Sequence, residues 1–136
     1  MASDPSANLP RAAPARSDVS GQSPFAGLEV RSKLWIEVNG KAVLSDYRAA
    51  ILEGIERTGS LAKAAEGLKV PYRTAWQRLK ESEEALGLRL VETQSGGAEG
   101  GGSTLTPAAK ELLRRYREFS KGLGTLVDDR FREAFS

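Results

Sequence analysis

Arg73 and Gln77 stand four residues apart, and each side chain can pair with the edge of a DNA base. Arg offers two parallel donors to guanine O6 and N7, and Gln offers a donor and an acceptor to adenine. Four residues on a helix place them one turn apart on a shared face. Around them, residues 63–80 hold five cations (Lys63, Lys69, Arg73, Arg78, Lys80) against one acid, Glu66. Residues 81–84 then hold three acids and no base. A helix that only needs solvation mixes the signs. One that is basic at its start and acidic at its end suits entry into a groove N-terminus first, where its dipole also favours phosphate. The candidate DNA-binding residues are therefore Tyr72, Arg73, Thr74, Gln77, Arg78 and Lys80. Arg73 and Gln77 would read bases, Tyr72 and Thr74 would reach phosphate or a thymine methyl, and Arg78 would touch the backbone. Ser60 and Lys63, just upstream, are candidates for phosphate contact, and Arg89 is one beyond the helix. The plain alternative for each is a solvated polar residue, and for Ser60 a helix cap.

The elements that must position these residues follow from local signals. Leu34, Ile36 and Val38 alternate with Lys33, Trp35 and Glu37, and Asn39-Gly40 is a strong type I′ turn signal, so a hairpin is expected over 32–38 and 41–44. Ser45 reads as an N-cap, and Tyr47, Ile51 and Ile55 recur at helical spacing up to the stop at Gly59. Ser60 caps a short helix whose buried stripe is Leu61, Ala64, Ala65 and Leu68. Pro71 suits the start of a third helix, with Ala75, Trp76, Leu79 and Leu86 expected in the core and Gly87 at its end. A strand is expected over 88–93, with Leu88 and Leu90 on one face. After the glycine run and a short strand, Thr106 caps a last helix from Pro107 to at least Lys121, and the residues after Gly124 add at most a further helical turn.

The run "QSGGAEGGGSTLT" has five glycines among residues 95–103. Gly96 and Gly101 have the spacing of a phosphate loop, but Gly102 stands where the lysine must be, and a strand follows instead of a helix. As a spacer it would lead to one helix, too little for a domain. Gly96, Gly97, Gly100, Gly101 and Gly102 instead read as the tip of a hairpin. The order helix, helix, helix, strand, glycine loop, strand, long helix is a winged helix-turn-helix: mainly α with a small β wing, preceded by a β-hairpin.

Composition excludes much else. The chain has 136 residues, 40% hydrophobic and 28% charged, which suits one globular domain, expected over 28–136 after a disordered, proline-rich tail at 1–27. With no cysteine and no histidine, zinc-thiolate sites, a cysteine nucleophile and the commonest general base are all missing. No metal and no cofactor is expected. The acid pairs Glu83-Glu84 and Asp128-Asp129 are adjacent, so their side chains diverge, and catalysis is not expected. A net charge of +2 allows a nucleic-acid partner without arguing for one. No apolar run is long enough to span a membrane, and there is no export signal, so the cytoplasm is the expected compartment.

The segment "GSLAKAAEGLKVPYRTAWQRLKESEEALGLRLVET" resembles the DNA-binding domain of ModE-type, molybdate-responsive regulators, and its "LGLRL" exit resembles LysR-type regulators. The likeness runs from about Leu34 to Phe119. It implies a transcription regulator that binds double-stranded DNA as a homodimer on a partly palindromic operator. Ala98 and Glu99 stand where the resemblance implies a basic wing tip. Molybdate is sensed in that family by a separate C-terminal region, which would begin about where these 136 residues end, so molybdate binding is not expected of them. Leu112, Leu113, Tyr116 and Phe119 form an apolar stripe on the last helix and are the expected dimerisation residues. The alternative function is a winged-helix protein-interaction module, or a co-regulator lacking its own effector domain, with a protein co-regulator as a possible partner.

Overall fold

The computed structural model describes residues 23–94 and 102–136. They fall into two compact units, one over 34–119 and the other made of 23–33 with 120–136. The expected domain span of 28–136 takes in the larger unit and residues 28–33 and 120–136 of the smaller one, whose residues 23–27 fall in the expected tail. The tail expectation for 1–22 lies outside the described residues, and Pro24–Gly27 form a turn.

The larger unit opens with a hairpin, β1 (Trp35–Val38) and β2 (Lys41–Ser45), paired antiparallel. Asn39 and Gly40 both take positive φ, 51° and 81°, as a type I′ turn requires. The expected apolar face of the first strand packs only through Val38, half-buried against the core: Leu34 and Ile36 are exposed, while Val43 and Leu44 are buried. The cause is a bulge. Ile36 pairs with Leu44 and Glu37 with Ala42, which leaves Val43 as the extra residue and lets two successive side chains enter the core.

Three helices follow: α1 (Asp46–Thr58), α2 (Leu61–Gly67) and α3 (Tyr72–Leu86). Ser45 Oγ accepts from Arg48 N and Ser60 Oγ from Lys63 N, so both expected caps are made. Ala49, Ile51, Leu52 and Ile55 of α1 meet Leu61, Ala64 and Ala65 of α2 and Ala75 and Leu79 of α3 in one core. Helices α1 and α2 touch at Gly54, where an added Cβ would come within 2.7 Å of Ala64 Cβ. Between α2 and α3, Lys69 takes φ 57° while Val70 N bonds Ala65 O and Lys69 N bonds Glu66 O. That is a Schellman turn with lysine at the position glycine usually holds.

The wing strands β3 (Val91–Thr93) and β4 (Ser103–Leu105) pair antiparallel, with Val91 opposite Leu105. The first is shorter than expected. Leu88 is exposed, and Leu90 and Val91 are both buried although they are neighbours. Glu83 Oε2 explains it, because it accepts from both Leu90 N (2.8 Å) and Val91 N (3.2 Å) and so ties the strand entry to α3. Thr106 Oγ1 accepts from Ala109 N and donates to Arg89 O, capping α4 (Pro107–Ser120) and fixing it to the wing base.

The smaller unit contains α5 (Leu123–Phe135), a complete helix where only a turn was expected; Gly122 in the left-handed region (φ 77°) starts it. Within this unit Phe131 and Phe135 stack at 5.0 Å, and Phe25 meets Phe135 edge-on at 6.0 Å. No helix among the described residues is long and apolar enough to cross a membrane.

Candidate nucleic-acid interface

The outer face of α3 is set by what its inner face buries. Ala75, Leu79 and Ser82 point into the core at spacings of four and three, a helical stripe. Arg73 and Gln77 are therefore exposed, one turn apart, and their side chains make no hydrogen bond or ion pair among the described residues. Tyr72 is exposed beside them. Thr74 is half-buried, with its amide bonded to Pro71 O. Pro71 provides the N-cap position without a side-chain bond to the first-turn amides.

Trp76 corrects the expectation of a core residue: it is 45% exposed. Its position lies one residue past Ala75, about 100° around the helix, so it joins the outer face. Ser82 holds the core place instead, where its hydroxyl donates to Val43 O.

The remaining cations are partly engaged. Arg78 pairs with Glu81 at 3.3 Å. Lys80 is 3.1 Å from Glu83 Oε1 and its ammonium lies 5.8 Å from the centre of the Trp76 ring. Lys63 is exposed and has no side-chain partner among the described residues. Ser60 acts as the cap of α2. Arg89 is exposed, with its carbonyl taken by Thr106.

Of the wing glycines, Gly96, Gly97, Gly100 and Gly101 lie outside the described residues. Gly102 O accepts from Gln94 N at 2.8 Å, which closes the ladder. The next residue, Ser103, donates its amide to Gly59 O at 2.8 Å, so β4 is anchored to the α1–α2 turn. The wing base and the helix pair are thereby held by one backbone contact.

Two of the four expected dimerisation residues are used inside the protomer. Leu113 and Tyr116 are buried in the core, and Tyr116 Oη donates to Asp46 Oδ1 at 2.5 Å. Burial, and then the Asp46 carboxylate, push the Tyr116 phenol above its ordinary value. The stripe has the expected phase, but α4 turns it onto the domain's own core before it can offer anything to a second copy. Leu112 is half-buried, and Phe119 is left 54% exposed.

The sequence does not mark Arg48, Ser82 and Glu83, which hold α3 in place without lying on its outer face. Arg48 Nη1 bonds both Arg78 O and Ser82 Oγ. Nothing in the sequence marks a first-turn arginine as bound to a carbonyl thirty residues away.

Residues 48–110 match the family of bacterial regulatory helix-turn-helix proteins of the lysR type. The chain is 42% identical over 72 residues to the molybdenum transport protein ModE of Herbaspirillum seropedicae, covering 53% of this chain and 27% of that protein. It is 35% identical over 80 residues to the molybdenum-pterin-binding protein MopB of Rhodobacter capsulatus, covering 59% and 30%. Among solved structures, the DNA-binding domain of CbnR in complex with DNA matches with a TM-score of 0.50 and 25% identity, over 65% of this chain and 94% of that one. The chain thus spans less than a third of the length of those two curated relatives.

Proposed function

We propose, from the premise that residues 48–110 form a LysR-type helix-turn-helix domain of the ModE-like kind, that this protein reads a specific DNA sequence through α3. The observation that carries this is the pairing of Arg73 with Gln77: two base-reading side chains, exposed, one turn apart and unengaged among the described residues. Lys63 would touch backbone phosphate from α2, and the glycine-rich wing would lie along the flanking groove. The sequence between Gln94 and Gly102 holds Glu99 and no cation, so its side chains offer phosphate no attraction.

The protein would act as a dimer on a partly palindromic operator. Support comes from apolar side chains that the protomer leaves uncovered: Phe119 on α4 and Leu126 on α5 are both exposed, and no residue of α5 is fully buried. The MopB and ModE relatives are named for molybdenum. The matched part is the helix-turn-helix segment, so the proposal extends to DNA and not to the metal.

A gel shift tests the assignment. Duplexes selected from a random pool should be bound by the wild type, and Arg73→Ala should lose affinity and accept a wider set of bases at one position. Unchanged binding by Arg73→Ala would overturn the assignment of α3 as the reading helix.

A further inference from the structure

The candidate interface has an apolar component that the pairing of Arg73 with Gln77 does not explain. Trp76 and Tyr72, four residues apart, leave 45% and 53% of their surfaces open on the same outer face. Two large aromatics adjacent on an otherwise polar helix make an exposed apolar patch, which marks an interaction site better than either residue alone. The indole N–H of Trp35 donates to Glu37 at 2.7 Å. That of Trp76 has no acceptor among the described residues. Its ring is also held from one side. Lys80 sits 5.8 Å from the ring centre and is itself fixed by Glu83, whose other oxygen binds the amides of Leu90 and Val91. A cation at this distance is attracted to the ring. Trp76 therefore presents a supported apolar edge and a free donor, flanked by Arg73 three residues before it and Lys80 four residues after it.

We propose that Trp76 is a specificity-determining residue that seats its indole against the C5-methyl group of a thymine in the major groove. This rests on the reading of α3 as a DNA-binding helix. In that groove only thymine sets a methyl group beside an acceptor, its O4. Indole supplies the complement, an apolar ring with a nitrogen that donates and never accepts. A cytosine amino group or the amino group of adenine would meet a ring with nothing to accept its hydrogen. Arg73 beside it, unpaired among the described residues, matches a partner carrying phosphates, which favours DNA over an apolar protein surface.

The experiment uses duplexes selected on the wild-type chain, in which each thymine is replaced in turn by deoxyuridine. This removes one methyl group and keeps every hydrogen-bonding atom. One replacement should weaken wild-type binding about fourfold, the equivalent of about 0.8 kcal/mol for one buried carbon. The same replacement should leave Trp76→Ala unaffected and should still be felt by Tyr72→Ala. Circular dichroism of Trp76→Ala should match the wild type, since the side chain lies outside the core. Trp76→Phe, which keeps an apolar edge, should retain part of the effect. If no uracil duplex differs, or if Trp76→Ala responds as the wild type does, the thymine contact is wrong while the reading of α3 stands. If selection enriches no duplex at all, the DNA-binding reading fails and the thymine contact fails with it.

Discussion

Arg48 donates to the main-chain oxygen of Arg78 over 2.7 Å, from the first turn of α1 to the middle of α3. The same nitrogen reaches Ser82 Oγ at 2.9 Å, and Ser82 in turn donates to Val43 O at 2.9 Å. The Arg48 side chain is only 13% exposed. A guanidinium so enclosed is tolerable because acceptors surround it. The result is a three-element clamp joining the hairpin, α1 and α3. It fixes the rotation of α3 about its own axis, and that rotation decides which side chains face outward.

Arg48→Met keeps most of the aliphatic stem and removes the donors. It should lower stability by about 1.5–3 kcal/mol, the usual worth of hydrogen bonds to a charged group. Urea denaturation would measure this. DNA affinity should fall by more than the loss of a distant cation explains, because the reading face loses its fixed rotation. Stability equal to that of the wild type would make the clamp incidental.

Glu83 is the second support, and it titrates. Burial pushes its carboxyl up, but the amide of Leu90, the Lys80 ammonium and the amide of Val91 together hold it below the ordinary value of 4.5. A folded-state pKa that is lowered gives stability present in full above pH 4.5 and lost as pH falls through the lower folded value. Glu83→Gln lacks this ionisation. The stability gap between wild type and Glu83→Gln, measured in urea, should therefore narrow as pH drops from 7 towards 3. Glu83→Ala should cost about 1–3 kcal/mol at pH 7 by leaving two buried amides without an acceptor. A gap independent of pH would show that the carboxylate charge contributes nothing.

Local signals made much of this fold legible. Ser45, Ser60 and Thr106 cap helices where their hydroxyls precede apolar periodicity, and Asn39-Gly40 turns because few residues tolerate two positive φ values in succession. The places of the cations along α2 and α3 were legible because charge sign needs no tertiary context, but the pairing of Arg78 with Glu81 and of Lys80 with Glu83 was not. The exposure of Trp76 is not legible because size and apolarity suggest burial, whereas the phase of Ala75, Leu79 and Ser82 decides the inner face. Leu113 and Tyr116 were misassigned for a related reason: an apolar stripe tells that a helix is covered, not which chain covers it. Arg48 and Glu83 were illegible, since their partners are distant in sequence or are backbone groups.

Gly54 shows how tightly α1 and α2 are set. A methyl group there would stand 2.7 Å from Ala64 Cβ and 3.1 Å from Ala64 Cα. Neither is the end of a flexible side chain, so the helices must separate. Gly54→Ala should destabilise by about 1–3 kcal/mol, against the helix-propensity gain alanine normally brings. Gly67→Ala is the control, because nothing lies within 4 Å of an added Cβ there. Thermal denaturation of the two variants should move in opposite directions. A stabilised Gly54→Ala would mean that the helix contact is looser than described.

Lys63 and Arg73 separate two kinds of DNA contact. Lys63 is exposed on α2 and has no base-reading geometry of its own, so its contribution would be attraction to phosphate. Lys63→Ala should weaken all duplexes by a similar factor and reduce the slope of log affinity against log salt by about one unit. Arg73→Ala should instead act on sequence preference, costing about 1–3 kcal/mol on the selected duplex and much less on a scrambled one. Fluorescence anisotropy at several salt concentrations, with both duplexes, resolves the two patterns. If Lys63→Ala altered sequence preference as strongly as Arg73→Ala, α2 would have to reach bases, and the division of work between α2 and α3 would have to be redrawn.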